Sequence, residues 1–391
     1  MVKTASFLLL FSACLVQASS LYKMKPLSSG YLECPQQLRK STSGKTIYCD
    51  VSAAVYSGNQ KTVYFASDWW KTVKSSKLMS IQWENGTPLP ATQRYHSESN
   101  AFTGIEKIEA MTRTEDNLIF IASGAFTHSA ETGYSDWATI NNIVYWQNGK
   151  VSQATRPDLL INGSTLPAKN INAEEFSYYL RNGMLNALRT KYSDTNFFKI
   201  EGLSILPGNR LAFGVREIGA HYLQTRFKNI ILTTDYRIDS GQLVIGTQFS
   251  LQYDFPLNAS YNLAGSVGLS SIEYDFKRRL LYMTTSYEKG SGDEDVGTYL
   301  WVLPNNSNNK LLKPRLVRHN SSAPYHFAHK AEAMAIDAQG RVILIADDDK
   351  VLGRKKSEVL FPDRQFSRHP WQAAYIVLKV SPGNVSSPLP H

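Results

Sequence analysis

One hairpin sentence recurs along the chain, and it restricts the fold more than any other feature. Its clearest copy is residues 199–217, KIEGLSILPGNRLAFGVRE. Ile200, Leu203 and Ile205 lie on a first strand. Pro207-Gly208-Asn209 supplies turn chemistry, and Leu211, Phe213 and Val215 alternate on a second strand. Residues 107–124 read KIEAMTRTEDNLIFIASG, and residues 330–348 read KAEAMAIDAQGRVILIADD. Residues 268–286 (GLSSIEYDFKRRLLYMTTS) and 48–68 (YCDVSAAVYSGNQKTVYFASD) are weaker copies. A unit of this kind cannot bury both faces of its sheet alone, but several stacked radially can. The expected class is all-β: a β-propeller of five blades, or six if residues 243–255 form a blade of their own.

The rest of each repeat supports that reading. Third strands are expected at 78–83 (LMSIQW), 142–146, 228–233 (KNIILT), 299–303 (YLWVL) and 374–380 (AYIVLKV). Little follows the last of these, so the final blade lacks an outer strand. Filling that gap from the other terminus would close the ring and remove an exposed edge. One helical insertion is predicted at about 172–190, with Asn172 as cap, Glu174 and Glu175 in the first turn and Phe176, Leu180, Met184 and Leu188 on one face. It reads either as a lid over one propeller face or as a packing insertion. Gly183 weakens its pattern. The chain has 391 residues, 42% hydrophobic and 12% aromatic, enough for a large core.

Residues 1–18 have the form of a signal peptide. Lys3 is the basic region, 7–16 the apolar one, and cleavage is expected after Ala18. The apolar run is too short to span a membrane, and no later stretch approaches 18 apolar residues, so no transmembrane span is expected. The domain reading is a leader at 1–18, an irregular polar lead-in at 19–46 and the propeller at 47–391. The protein is expected to be secreted or periplasmic. Phe11-Ser12-Ala13-Cys14 also resembles a bacterial lipobox, which would make Cys14 a lipid anchor instead. Cys34 and Cys49 then remain as an even pair, and an exported chain would join them in a disulfide. The formal net charge is +9. A basic exported protein suits an anionic small-molecule or polymer ligand. No nucleic-acid-binding motif accompanies the charge, so nucleic acid is not an expected partner.

The residues with chemical potential sit on the hairpin. Glu109, Glu201 and Glu332 share one slot, filled by Ser271 and Ala53 in the weaker copies. First strands line a propeller's channel, so a recurring slot points into one shared space. Asp68, Ser123, Arg216-Glu217, Thr285-Ser286 and Asp347-Asp348 end the second strands and should reach the same mouth. Three carboxylates there would repel one another, and burying them unpaired is costly. A cation, Arg216, backbone donors or protonation must compensate. An all-oxygen set without cysteine suits Ca²⁺ best, then Mg²⁺ or Mn²⁺.

The series IEAM…NLIFIASG, IEGL…LPGNRLAFGVRE and AEAM…QGRVILIADDD, across 105–380, resembles bacterial propeller domains of unknown function. It is more distantly similar to propellers of the "esterase-like activity of phytase" family. The resemblance implies an exported propeller with metal-dependent ester or phosphoester hydrolysis. The matching positions are Glu109, Glu201, Arg216, Glu332 and Asp348; the fourth copy departs, with a serine in the glutamate slot. On this reading Glu109, Glu201, Glu332 and Asp348 hold the metal. Arg216 grips the anionic group and Glu201 is the base. A different class fits the same residues: a non-catalytic ligand- or protein-binding propeller whose channel glutamates only brace the ring.

Overall fold

The computed structural model describes residues 21–35, 49–67, 78–97, 100–105, 107–126, 140–257, 265–288, 296–306, 313–319, 323–347 and 369–383, with a few shorter pieces. The leader at 1–18, Cys14, Asp68 and Asp348 lie outside the described residues.

Each repeat forms an antiparallel unit. In the first, Val51–Ser57 pairs with Thr62–Ser67, which pairs with Leu78–Glu84. In the second, the order is Ile108–Arg113, Ile119–Gly124 and Ile143–Gln147. The third runs through Phe197–Leu206, Arg210–His221 and Gln224–Asp239. Its turn has the positive φ values that its residues suit, 80° at Gly208 and 55° at Asn209. Gln242–Gly246 and Ser250–Asp254 both pair with Gln224–Asp239, so this stretch completes the third unit's sheet. The fourth unit is Gly268–Asp275, Leu280–Glu288 and Val296–Pro304.

The fifth unit begins with Ala331–Ile336 and Val342–Ala346, followed by Gln372–Pro382. Its outer strand comes from the start of the chain. Tyr22–Glu33, read from sequence as irregular, runs antiparallel along Gln372–Pro382 from Tyr22 opposite Pro382 to Glu33 opposite Gln372. A register shift between Pro26 and Ser28 accommodates the proline. Cys34 and Cys49 form a disulfide just beyond this strand, with 5.5 Å between their Cα atoms.

The first strands of successive units pack side by side, and the fifth packs on the first. Each neighbouring pair of units encloses its own apolar cluster. Val55 and Tyr64 meet Phe120 and Trp146; Ile121 meets Ile200 and Leu203; Ala212 meets Leu269 and Trp301; Tyr282 meets Met334 and Leu344; Ile343 and Ile345 meet Phe65 and Trp83. This radial stack of sheets is a β-propeller.

The insertion is a helix at Ala173–Arg189. Asn172 Oδ1 accepts from the Glu175 amide at 2.9 Å, and Glu175 Oε2 accepts from the Asn172 amide at 3.1 Å, a reciprocal cap. Phe176, Leu180, Met184 and Leu188 are buried in the cluster between the second and third units, so the helix is a packing element. Gly183 lies where the carbonyl of Thr247 leaves no room for a Cβ.

Candidate functional site at the channel mouth

A bulge interrupts each inner hairpin at the same place. The residues left out of register are Glu109, Glu201 and Glu332 in three units, and Ser52 and Ser270 in the other two. A bulge re-aims its extra side chain. Here it brings Glu109, Glu201 and Glu332 together, with one oxygen of each within 4.8 Å of the others. All three are buried. The slot falls one residue earlier than Ser271 and Ala53: the same bulge recurs in all five hairpins, which makes Ser270 and Ser52 the equivalents of Glu201. Ser52 Oγ instead donates to the Ile108 carbonyl at 2.6 Å, tying the first unit to the second.

Arg216 bulges out of the strand opposite Glu201 and is buried at the same mouth. It donates to Ser270 Oγ at 2.7 Å and Ser286 Oγ at 2.8 Å, and lies 3.9 Å from Glu332 Oε1. Asp347 is buried and lies 3.7 Å from Lys330 Nζ. Ser123 Oγ donates only to the adjacent Gly124 carbonyl.

Sequence reasoning missed the lysines. Lys107 Nζ is 2.6 Å from Glu109 Oε1, and Lys330 Nζ is 2.9 Å from Glu332 Oε1 and 3.8 Å from Glu288 Oε2. Lys199 Nζ pairs with Glu201 and lies 3.5 Å from Glu109 Oε1. The signal was in plain view: each of these glutamates follows a lysine by two residues, in KIEA, KIEG and KAEA.

Among the described residues, Lys107, Lys199, Arg216 and Lys330 face six carboxylates: Glu109, Glu201, Glu217, Glu288, Glu332 and Asp347. The environments of two glutamates diverge. Burial, then Glu109 and Glu332, push Glu201 up to about 8. For Glu332 burial acts in the same direction, but Lys330, a hydrogen bond with Asp347, and Arg216 outweigh it and hold the carboxyl well below its ordinary value. Burial would lower Lys199, but Glu109 and Glu201 overcome it and keep the ammonium charged. Beyond these lysine ion pairs, neither Glu109 nor Glu201 accepts a further hydrogen bond among the described residues. Paired carboxylates with divergent proton affinities can divide acid and base roles.

A pocket of about 350 Å³ opens onto this cluster, lined by Lys199, Arg216, Glu217, Phe227, Glu288 and Lys330. The triad does not line this pocket, but Lys199, Arg216 and Lys330, which do, are its ion-pair partners. The arrangement can hold a cation on the carboxylates, or present Arg216 and two ammonium groups to an anionic group in the pocket. Asp348 lies outside the described residues.

The chain matches no family model and no curated protein. The resemblance carried by the hairpin motifs is therefore not accompanied by a family match. Several solved structures are similar over most of their length at low identity. A glycosyl hydrolase from Bacteroides ovatus is 7% identical, covers 89% of this chain and 93% of its own, and has a TM-score of 0.41. A luciferin-regenerating enzyme is 9% identical, covers 90% and 95%, and scores 0.37. A Swd1 β-propeller domain from Myceliophteria thermophila is 7% identical, covers 85% and 96%, and scores 0.31. At these values the similarities bear on neither ligand nor activity.

Proposed function

We propose that this is an exported five-bladed β-propeller that acts at the channel mouth as a metal-assisted ester or phosphoester hydrolase. The observation that carries the reading is the buried triad of Glu109, Glu201 and Glu332, one oxygen of each converging within 4.8 Å. The all-oxygen set suits Ca²⁺ first, then Mg²⁺ or Mn²⁺. Glu109, Glu201 and Glu332 would hold the ion, with Asp348 as a further ligand. Bound there, it would polarise an ester or phosphoryl oxygen.

Arg216 and Lys330 line the pocket and would hold the anionic group of the substrate. The Glu201 carboxyl, pushed up to about 8 by burial and by its neighbours Glu109 and Glu332, would take a proton from water. Lys199 stands between Glu201 and the pocket, so its side chain must swing aside to admit substrate. The five-blade count is supported by the closed circuit of inner strands. Export is supported by the form of residues 1–18 and by the Cys34–Cys49 bridge. Among the described residues, no helix is long and apolar enough to cross a membrane.

The test is elemental analysis of the purified protein, with thermal melts before and after chelation. Chelation is expected to lower the melting temperature and Ca²⁺ to restore it, since a ligand bound only by the native state stabilises it. Glu201→Gln is expected to lose that response, together with hydrolysis of 4-nitrophenyl phosphate and 4-nitrophenyl acetate. No copurifying metal and an unchanged melt would leave the lysines and Arg216 as the counter-ions of the triad. The chain would then be a non-catalytic binding propeller.

A further inference from the structure

We propose that a second pocket, adjoining the mouth across Phe227, is a subsite for a flat aromatic ligand carrying an anionic group and an O–H or N–H donor. The inference extends the reading of the mouth and rests on it only in calling that ligand a substrate. The pocket measures about 380 Å³ and is lined by Tyr192, Phe227, Lys228, Asn229, Asp254 and Phe255, among others.

Among the described residues, three cations cluster there. The Tyr192 ring is flanked by Lys228 Nζ at 4.4 Å, the Arg226 guanidinium at 5.5 Å and Lys191 Nζ at 5.7 Å. Lys228 donates to the Tyr192 hydroxyl at 2.9 Å, and that hydroxyl donates to Asp254, which also pairs with Lys191 at 2.5 Å. Asp254 thus pairs directly with Lys191 and reaches Lys228 through the Tyr192 hydroxyl. Burial, opposed by Asp254 but joined by Arg226 and Lys191, draws Lys228 below its ordinary value. An anionic group beside Lys228 would relieve that repulsion.

Asn229 supplies the second requirement. It is 3% exposed, and its Nδ2 faces the carbonyls of Phe255 at 3.5 Å and Val267 at 3.3 Å. Two carbonyls fix which end of the amide carries the nitrogen. Among the described residues Oδ1 has no donor, a buried acceptor that a ligand O–H or N–H would complete. Phe227 and Phe255 supply apolar walls for a planar ring. Phe227 also carries the Arg216 guanidinium 4.9 Å from its ring centre, and Arg216 lines the mouth pocket. A single aromatic ring therefore separates the two spaces, so one extended molecule can reach both.

The probe is 6-hydroxy-2-naphthoate, titrated by fluorescence against the full chain. Saturable binding is expected. 2-Naphthoate, which lacks the hydroxyl, and 6-hydroxy-2-naphthalenemethanol, which lacks the charge, should each bind about tenfold more weakly, the loss of roughly one good polar contact. Lys228→Met should weaken the acid about tenfold and leave the alcohol unchanged, which also reports that the variant is folded. Glu201→Gln should bind the acid as the wild type does. Loss of hydrolysis with binding retained would fault the mouth and leave the subsite standing. No saturable binding to wild type up to about 1 mM, the range of weak small-ligand contacts, would overturn the proposal. So would equal affinity for acid and alcohol, or a Lys228→Met protein that binds the acid normally.

Discussion

Replacing Glu273 with glutamine should change how stability depends on pH. Glu273 lies on the fourth inner strand, 3% exposed, and accepts a hydrogen bond from Thr112 Oγ1 at 3.1 Å. Burial pushes its carboxyl from 4.5 up to about 8, against the opposing effects of Arg113 and the Thr112 hydrogen bond. The folded protein therefore binds a proton that the unfolded chain has released between those two values. Stability attributable to this group is complete below pH 4.5 and is lost as pH rises through 8. One pKa unit is about 1.4 kcal/mol, so the full interval amounts to about 5 kcal/mol. Glutamine keeps the shape and the acceptor for Thr112 but cannot ionise. Wild type and Glu273→Gln should melt together near pH 5. By pH 9 the variant should be more stable by several kcal/mol, a gap of roughly 10 °C for a domain of this size. Thermal melts of both proteins from pH 4.5 to 9 make the comparison. Parallel curves, or a wild type that gains on the variant with rising pH, would refute a buried neutral carboxyl at this position.

Lys199→Met removes the ammonium shared by Glu109 and Glu201. It should cost about 3–5 kcal/mol by leaving buried charge uncompensated, and adding Glu109→Gln should recover part of that in denaturant titrations. Deleting residues 1–33 strips the strand that covers Gln372–Pro382; a non-cooperative melt or aggregation is expected, and an unchanged melt would contradict closure by that strand. Cys34→Ser opens a loop with a sequence separation of 15 and should lower stability by about 3 kcal/mol, measured against wild type under non-reducing conditions.

The hairpins were legible because alternation and turn chemistry are local. Leu211, Phe213 and Val215 all point into the interface that their spacing assigns them, and Asn172 caps the helix it precedes. The glutamate slot was legible for a similar reason, since three copies repeat the same short run. Tyr22–Glu33 was not: its middle is half-exposed, it carries Pro26, and its partner is far away at the other end of the chain. Nothing in its own residues marks it as a strand until Gln372–Pro382 offers it an edge. The bulge itself was not legible, because the register is set by hydrogen bonds to the neighbouring strand; it recurs in all five hairpins and makes Ser52 and Ser270, not Ala53 and Ser271, the equivalents of the glutamates. The lysines show the remaining limit. The residue pair K-x-E is written in the sequence. That Lys199 should reach across to Glu109 on the adjacent unit, and that four cations should share six carboxylates, follows only from closing the ring.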